Sequence, residues 1–196
     1  MAIHPTGAGT LLPPEQVAHL SLVSAVAHSI AIVSTLLLFL GGCGLARRMA
    51  SPDRISFVAV VTLAFACVAV LIATAVSGFI IPDIWQHMIL DVPAAARQWQ
   101  IVIDAIFQIN QAFSRIYAVG SSMAILLWSV AGLRNGGLHR AVALYGCVVA
   151  VLIAAAIAVG HVRLNVHAMA IVVGAHTIWF ILVGWQLRSA AFETAK

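Results

Sequence analysis

The chain has 196 residues, of which 63% are hydrophobic and 8% are charged, and its formal net charge at neutral pH is +4. Water-soluble domains carry about a quarter charged residues, so this composition excludes a soluble globular protein. It predicts one integral membrane domain over residues 1–196. The basic residues are spread thinly and follow membrane topology, so the predicted partner is the lipid bilayer and not a nucleic acid.

Five apolar runs are long enough, or nearly so, to cross the hydrocarbon core as helices, which takes about 20 residues each. In chain order they cover residues 20–42, 55–81, 116–133, 141–160 and 166–187. They do not alternate apolar with polar residues, as the strands of a membrane β-barrel would. The sequence therefore predicts an all-α, polytopic helical bundle with five transmembrane helices.

The connection between the second and third spans predicts further helix over residues 83–113. Asp83, His87 and Asp91 follow one another at i, i+4 and i+8, along one helical face. After Pro93, polar side chains recur at helical spacing and apolar ones lie largely opposite. The polar residues of this stretch are Arg97, Gln100, Asp104, Gln108, Gln111 and Arg115. This pattern is typical of an amphipathic helix, which either lies on the outer membrane surface or extends the third span outward.

The basic residues favour one orientation in the membrane. Seven of the ten lie between the first two spans, between the third and fourth, or after the fifth. They are Arg47, Arg48, Arg54, Arg134, Arg140, Arg188 and Lys196. Short connections rich in Arg and Lys face the cytoplasm. We therefore predict that the N-terminus is outside and the C-terminus is in the cytoplasm.

Two histidines inside the spans, His28 and His176, are the strongest ligand candidates. Both lie about 12–15 Å below the start of spans that enter from the same side, at 1.5 Å per residue. On neighbouring helices, the two imidazoles would supply the two axial nitrogens of a b-type haem. The alternative is that each histidine makes one interhelical hydrogen bond to a Ser, a Thr or a backbone group.

The connection at residues 160–167 places two further polar residues at the outer end of the fifth span. We predict that Arg163 and Asn165 bind the cofactor, with Arg163 pairing with haem propionates or another anion. A second interpretation is a ligand or proton pathway, in which both residues line a polar vestibule with side chains of the amphipathic segment. A structural hydrogen-bond network is the alternative to both.

A transition-metal site is the third interpretation of the polar residues. The candidate ligands are His161, His167, His87 and Asp83, because imidazole and carboxylate suit copper and similar metals. The alternative is a solvated helix on which Asp83 and His87 form an i, i+4 pair.

No motif of a nucleotide-binding or hydrolytic enzyme is found. The sequence has no GxxxxGK[ST] loop, no G-x-S-x-G elbow and no HExxH helix, so it makes no prediction of catalysis. Cys43, Cys67 and Cys147 form no CxxC pair and are predicted to pack as small hydrophobic residues.

The C-terminal half resembles small bacterial membrane proteins of uncharacterised function. The resemblance lies in the sequences NQAFSR at 110–115, AILLWS at 124–129 and the Gly-His-x-Arg-Leu-x-x-His turn at 160–167. It implies a multi-span fold in a bacterial inner membrane. A fainter likeness is to haem–copper oxidase subunit I and its small relatives, which place His-x-His at the outer end of a helix. Here Arg163 stands in the second position, which leaves His28 and His176 as the axial pair.

These observations together predict an integral inner-membrane protein that binds a redox cofactor, with b-type haem as the first candidate. Copper, or no cofactor, is the alternative. The other functional alternatives are a transporter, a small-molecule or metal-binding membrane protein, and an accessory subunit of a membrane complex. Other membrane subunits or a second copy of the chain are the candidate protein partners.

Overall fold

The computed structural model describes residues 14–49, 54–90, 93–159 and 164–193, and the regular structure in these ranges is entirely helical. The α-helices are α1 (Pro14–Arg48), α2 (Ile55–Ala75), α3 (Ile81–Leu90), α4 (Pro93–Asn135), α5 (Arg140–Ala158) and α6 (Val166–Glu193). A π-helical turn, Val76–Ile80, joins α2 to α3. The predicted all-α class is confirmed.

Five helical stretches in the described ranges are long and apolar enough to cross a membrane. They are Ala18–Arg48, Ile55–Trp85, Trp99–Asn135, Arg140–Ala158 and Val166–Ser189. Large apolar side chains on these helices point outward: Phe65 and Ile171 are each 71% exposed. Exposing apolar surface to water costs free energy, whereas exposing it to lipid does not, because the hydrophobic effect arises from contact with water. The chain is therefore a multi-pass membrane protein.

The connection between the second and third spans is helical over nearly all its described length. The second span does not stop at Pro82, because the π-turn carries the helix into α3, which holds this proline in its first turn. A proline is tolerated in the first turn of a helix, where its missing N–H is not needed. Pro93 then begins α4, which runs without interruption to Asn135. The amphipathic segment therefore extends the third span, which was one of the two predicted alternatives.

The contacts group the chain into two compact units. The first comprises Met1–Thr35 and Leu71–Phe113, and the second comprises Leu36–Val70 and Ser114–Lys196, within the ranges that the structure describes. The first unit thus holds the N-terminal part of α1, the π-turn, α3 and the start of α4. The second holds the remaining parts of α1, α2 and α4, together with α5 and α6.

The core of the second unit is built around two tryptophans. Trp128 on α4 and Trp179 on α6 are fully buried and stack with ring centroids 6.2 Å apart. Phe180 packs edge-on against Trp179, with centroids 5.0 Å apart. Gly146 on α5 lies so close that a Cβ there would collide with Trp179 Nε1 and Ser129 Oγ. A small residue at this position lets α4, α5 and α6 approach closely, as is usual in membrane bundles.

Polar contacts tie the ends of helices in the second unit to α6. The Arg48 guanidinium donates to the Leu187 carbonyl over 2.7 Å. Gln186 accepts from the His139 N–H over 2.8 Å and donates to the Gly137 carbonyl over 3.3 Å. The second contact reaches a tight turn in which Gly137 has a φ of 91°, which favours glycine. These bonds join the C-terminal end of α1 and the turn before α5 to α6.

Candidate functional site

His28 lies in the first unit, on the face of α1 that is turned toward the π-turn. Its Nδ1 is 2.7 Å from the Ser24 carbonyl oxygen. A carbonyl only accepts, so Nδ1 carries the proton and donates it. In the neutral imidazole, Nε2 then keeps its lone pair. Metal-binding histidines are commonly held in this way, with one ring nitrogen donating to a carbonyl while the other faces the metal.

The π-turn is fitted closely against His28. The Ser24 hydroxyl donates to the Ser77 carbonyl over 3.3 Å, which joins α1 to the turn. A Cβ at Gly78 would collide with His28 Cβ and lie 2.7 Å from its Cγ. Only glycine allows the two segments to approach to this distance. π-Turns inside helices are rare and occur frequently at functional sites.

A surface groove of about 380 Å³ runs beside this contact in the first unit. Its walls are mainly apolar, and its polar side chains are Ser21 and Asp83. The groove is lined by Ala18, Ser21, Leu22, Ala25, Gly78, Phe79, Pro82 and Asp83. Its volume falls in the range of small-molecule sites, which is about 300–1,000 Å³. Gly78 lines this groove and also contacts His28.

His176 lies in the second unit, 3% exposed, between two serines of α4. Its Nδ1 is 3.2 Å from Ser121 Oγ and its Nε2 is 3.1 Å from Ser122 Oγ. The Ser121 hydroxyl donates to the Tyr117 carbonyl over 2.7 Å, so it accepts from Nδ1–H. Ser122 then donates to Nε2. Both ring nitrogens are satisfied, and the pair of bonds ties α6 to α4.

Ser122, His176 and Ser121 are hydrogen-bonded in series. A nucleophile, a base and an orienting group are linked in the same way in covalent catalysis. However, Ser122 is only 1% exposed, so its hydroxyl is closed to a substrate in this packing. The three side chains therefore form a structural tie. The sequence predicted an interhelical hydrogen bond as the alternative for His176, and the structure shows two such bonds.

Three buried side-chain polar atoms in the described part of the second unit have no hydrogen-bond partner. They are Trp128 Nε1, Trp179 Nε1 and Ser129 Oγ. Neither Ser129 nor Trp179 is among the site residues predicted from the sequence. The available signal was helical spacing, since Trp179 follows His176 by three residues and shares its face of α6.

The structure describes three of the other predicted site residues: Asn165, Asp83 and His167. Asn165 is exposed, and its Oδ1 accepts from the Ala168 N–H over 2.9 Å, which caps the start of α6. Asp83 and His167 are exposed on α3 and α6, in different units. His161 and Arg163 lie outside the described residues, as does the side chain of His87.

Metal-ligand geometry is not found in the part of the chain that the structure describes. No group of three or more His, Cys, Asp or Glu side chains there could hold a metal ion. His28 belongs to the first unit and His176 to the second. The structure thus places Ser24, Ser77 and Gly78 around His28, and Ser121 and Ser122 around His176.

Comparison with known proteins gives no match: no family model, no curated protein and no solved structure is similar to this chain.

Proposed function

We propose that this membrane protein binds a redox cofactor, b-type haem, with Nε2 of His28 as an axial ligand. The observation that carries the proposal is the 2.7 Å hydrogen bond from His28 Nδ1 to the Ser24 carbonyl. It fixes the tautomer in which Nε2 is free to coordinate iron. A haem held in this way would supply one-electron transfer within the bilayer.

Binding of iron by His176 would cost a hydrogen bond, whereas binding by Nε2 of His28 would not. His176 Nε2 accepts from the Ser122 hydroxyl over 3.1 Å, so binding iron there requires that this bond be given up. Ser122 would then turn to a carbonyl of its own helix, as serines in membrane helices commonly do. We therefore assign the axial role to His28 alone, and His176 keeps its two bonds to serine.

The test is the visible spectrum of the protein purified in mild detergent after expression with added haem precursor. The expected result is a Soret band and sharp α and β bands in the reduced-minus-oxidised difference. His28→Gln should abolish them, whereas His19→Gln, at an exposed position of the same helix, should leave them unchanged. A wild-type protein without these bands would reject the proposal, and so would bands that survive His28→Gln.

The role of His176 is tested with the same sample. Because both of its ring nitrogens are bonded to serines, His176→Gln should leave the haem bands unchanged. Bands that shift or disappear in folded His176→Gln protein would show that His176 also binds the haem. Metal analysis of the same preparation tests the copper alternative, with Asp83→Asn and His167→Ala as variants.

We also propose that the protein lies in a bacterial inner membrane with its N-terminus outside. The distribution of basic residues supports this orientation: Arg47 and Arg48 end α1, Arg134 lies in the last turn of α4, and Arg140 begins α5. The positive-inside rule places such helix ends in the cytoplasm. Thiol labelling of single cysteines introduced at positions 15 and 189 tests this orientation.

A further inference from the structure

The ends of α1, α2 and α6 meet at one end of the second unit. The Ser56 hydroxyl donates to the Met49 carbonyl over 3.4 Å, which joins the start of α2 to the residue that follows α1. The Arg48 guanidinium donates to the Leu187 carbonyl over 2.7 Å, which joins the last residue of α1 to the C-terminal part of α6. These three helices therefore end side by side.

The connection between α4 and α5 lies at the same end of this unit. Gln186 on α6 accepts from the N–H of His139, the residue that precedes α5, over 2.8 Å. Near the end of α4, a Cβ at Gly132 would lie 2.8 Å from the Cβ of Leu138. The short turn between α4 and α5 is thus packed on the end of α4 and bonded to α6. Five helices are joined here by direct contacts.

Six arginines lie at these helix ends, and they form a basic patch. Each is the last residue of a membrane-spanning stretch, the first residue of one, or the immediate neighbour of such a residue. Because the spans cross the hydrocarbon core, side chains at their ends lie at the level of the lipid headgroups. The basic patch comprises Arg47, Arg48, Arg54, Arg134, Arg140 and Arg188.

The positive charge of the basic patch is not balanced by the protein. The side chains that the structure describes in the second unit include no acidic one, and the sequence of this unit adds only Asp53 and Glu193. Four of the arginines are exposed and form no hydrogen bond or ion pair through their guanidinium groups with any residue that the structure describes. These are Arg47, Arg54, Arg134 and Arg140.

The anion that this patch meets at headgroup level is a lipid phosphate. The connections on this side are short, with six residues between α1 and α2 and four between α4 and α5. They are too short to carry the arginines away from the membrane surface. A guanidinium binds a phosphate through two parallel N–H···O bonds, and each arginine near an anionic membrane surface strengthens binding by about fivefold.

We propose that the basic patch binds anionic phospholipids, whose phosphates accept hydrogen bonds from its four exposed, unpaired arginines. The acyl chains stay in the bilayer, so the net charge of the headgroup alone makes the selection. A zwitterionic lipid is bound less tightly, because its own ammonium group offsets its phosphate. The proposal does not depend on haem binding, since His28 belongs to the first unit and the basic patch to the second.

The experiment reconstitutes the full chain into nanodiscs with equal amounts of dioleoyl phosphatidylglycerol and dioleoyl phosphatidylethanolamine. The protein is then extracted into mild detergent, and the lipids that stay bound are counted by native mass spectrometry. Retained phosphatidylglycerol should exceed phosphatidylethanolamine by about fivefold or more, since at least one arginine contributes. Equal retention, or an excess of phosphatidylethanolamine, would overturn the proposal and leave the patch to another partner, such as an acidic protein surface.

Variants at the four exposed positions test the role of charge. Replacing all four arginines by glutamine should bring the ratio of the two retained lipids close to one. Replacing the same four by lysine should keep most of the preference, because the charge remains although the paired hydrogen bonds are lost. A preference that survives the four glutamines, in protein that is monodisperse in size-exclusion chromatography, would reject the proposal.

A matched pair of single variants locates the binding site and alters the protein less. Arg140→Gln should lower the preference by about two- to fivefold. Arg115→Gln, at another exposed position of the second unit but outside the patch, should leave it unchanged, because a lone exposed ion pair binds too weakly to hold a lipid through extraction. Equal effects of the two variants would show that total charge, and not this patch, selects the lipid, which rejects the proposed site.

Discussion

The Nε2 atom of His176 on α6 lies 3.1 Å from Oγ of Ser122 on α4. Together with the bond between Nδ1 and Ser121, this contact uses both nitrogens of a nearly fully buried imidazole. A polar side chain inside a bilayer must find its partners within the protein, because lipid offers none. The histidine therefore acts as a clamp between two helices of the second unit.

Loss of the clamp should lower stability. We expect His176→Ala to reduce the free energy of unfolding by about 1–3 kcal/mol, since each interhelical hydrogen bond contributes about 0.6 kcal/mol and at most about 1.7. The measurement is unfolding in mixed micelles with increasing sodium dodecyl sulfate. His167→Ala, at an exposed position of the same helix, is the control and should leave the transition unchanged. Equal transitions in the two variants would show that the clamp does not stabilise the fold.

Two glycine-to-alanine changes should have opposite effects on the free energy of unfolding. A Cβ at Gly146 collides with Ser129 Oγ and Trp179 Nε1, whereas a Cβ at Gly174 meets nothing within 4 Å. We expect Gly146→Ala to destabilise the protein by about 1–3 kcal/mol through overpacking. Gly174→Ala should stabilise it by about 0.5–1 kcal/mol, because alanine loses less backbone entropy in a helix. Unfolding in mixed micelles with sodium dodecyl sulfate measures the stability of both variants. A more stable Gly146→Ala protein would contradict the close packing of Gly146 against Ser129 and Trp179.

The environment of His28 should depend on the residue at position 78. Because a Cβ there would collide with the imidazole, Gly78→Ala must displace His28 or the π-turn. We expect the variant to lose or shift the haem bands while remaining monodisperse in size-exclusion chromatography. Gly44→Ala, whose added methyl meets nothing within 4 Å, is the matched control. Unchanged bands in folded Gly78→Ala protein would place the haem away from His28.

The orientation of the chain can be read by thiol labelling. Cys43, Cys67 and Cys147 are first replaced by alanine, and single cysteines are then introduced as Glu15→Cys or Ser189→Cys, both at exposed positions. A membrane-impermeant maleimide should label the first variant in intact cells and the second only after permeabilisation. The reverse pattern would invert the proposed topology.

The amphipathic pattern after Pro93 predicted the secondary structure of this segment but not its position relative to the membrane. Helical spacing of polar residues correctly predicted a helix, but it did not decide between a surface helix and a longer span. The structure shows one α-helix from Pro93 to Asn135. Pattern alone could not decide, because a helix that leaves the bilayer and one that lies on it both show one polar and one apolar face.

Pro82 shows what the sequence leaves out. A proline after a long apolar run ends a helix or begins a new helical turn, and Pro82 lies in the first turn of α3, but a π-turn at Val76–Ile80 precedes it. Extra backbone in a π-turn is not encoded by any residue pattern that the sequence displays. It is stabilised here by tertiary contacts, from Ser24 to the Ser77 carbonyl and from Gly78 to His28.

Hydropathy by itself determined the fold class and the five spans, because a bilayer excludes polar surface and admits few structures besides helices. Only the tertiary structure decided what each histidine contacts. His28 bonds within its own helix and packs on a π-turn, whereas His176 bonds two serines 54 and 55 residues away. Partners so distant in sequence meet only when helices pack, and packing depends on the shapes of side chains that hydropathy does not record.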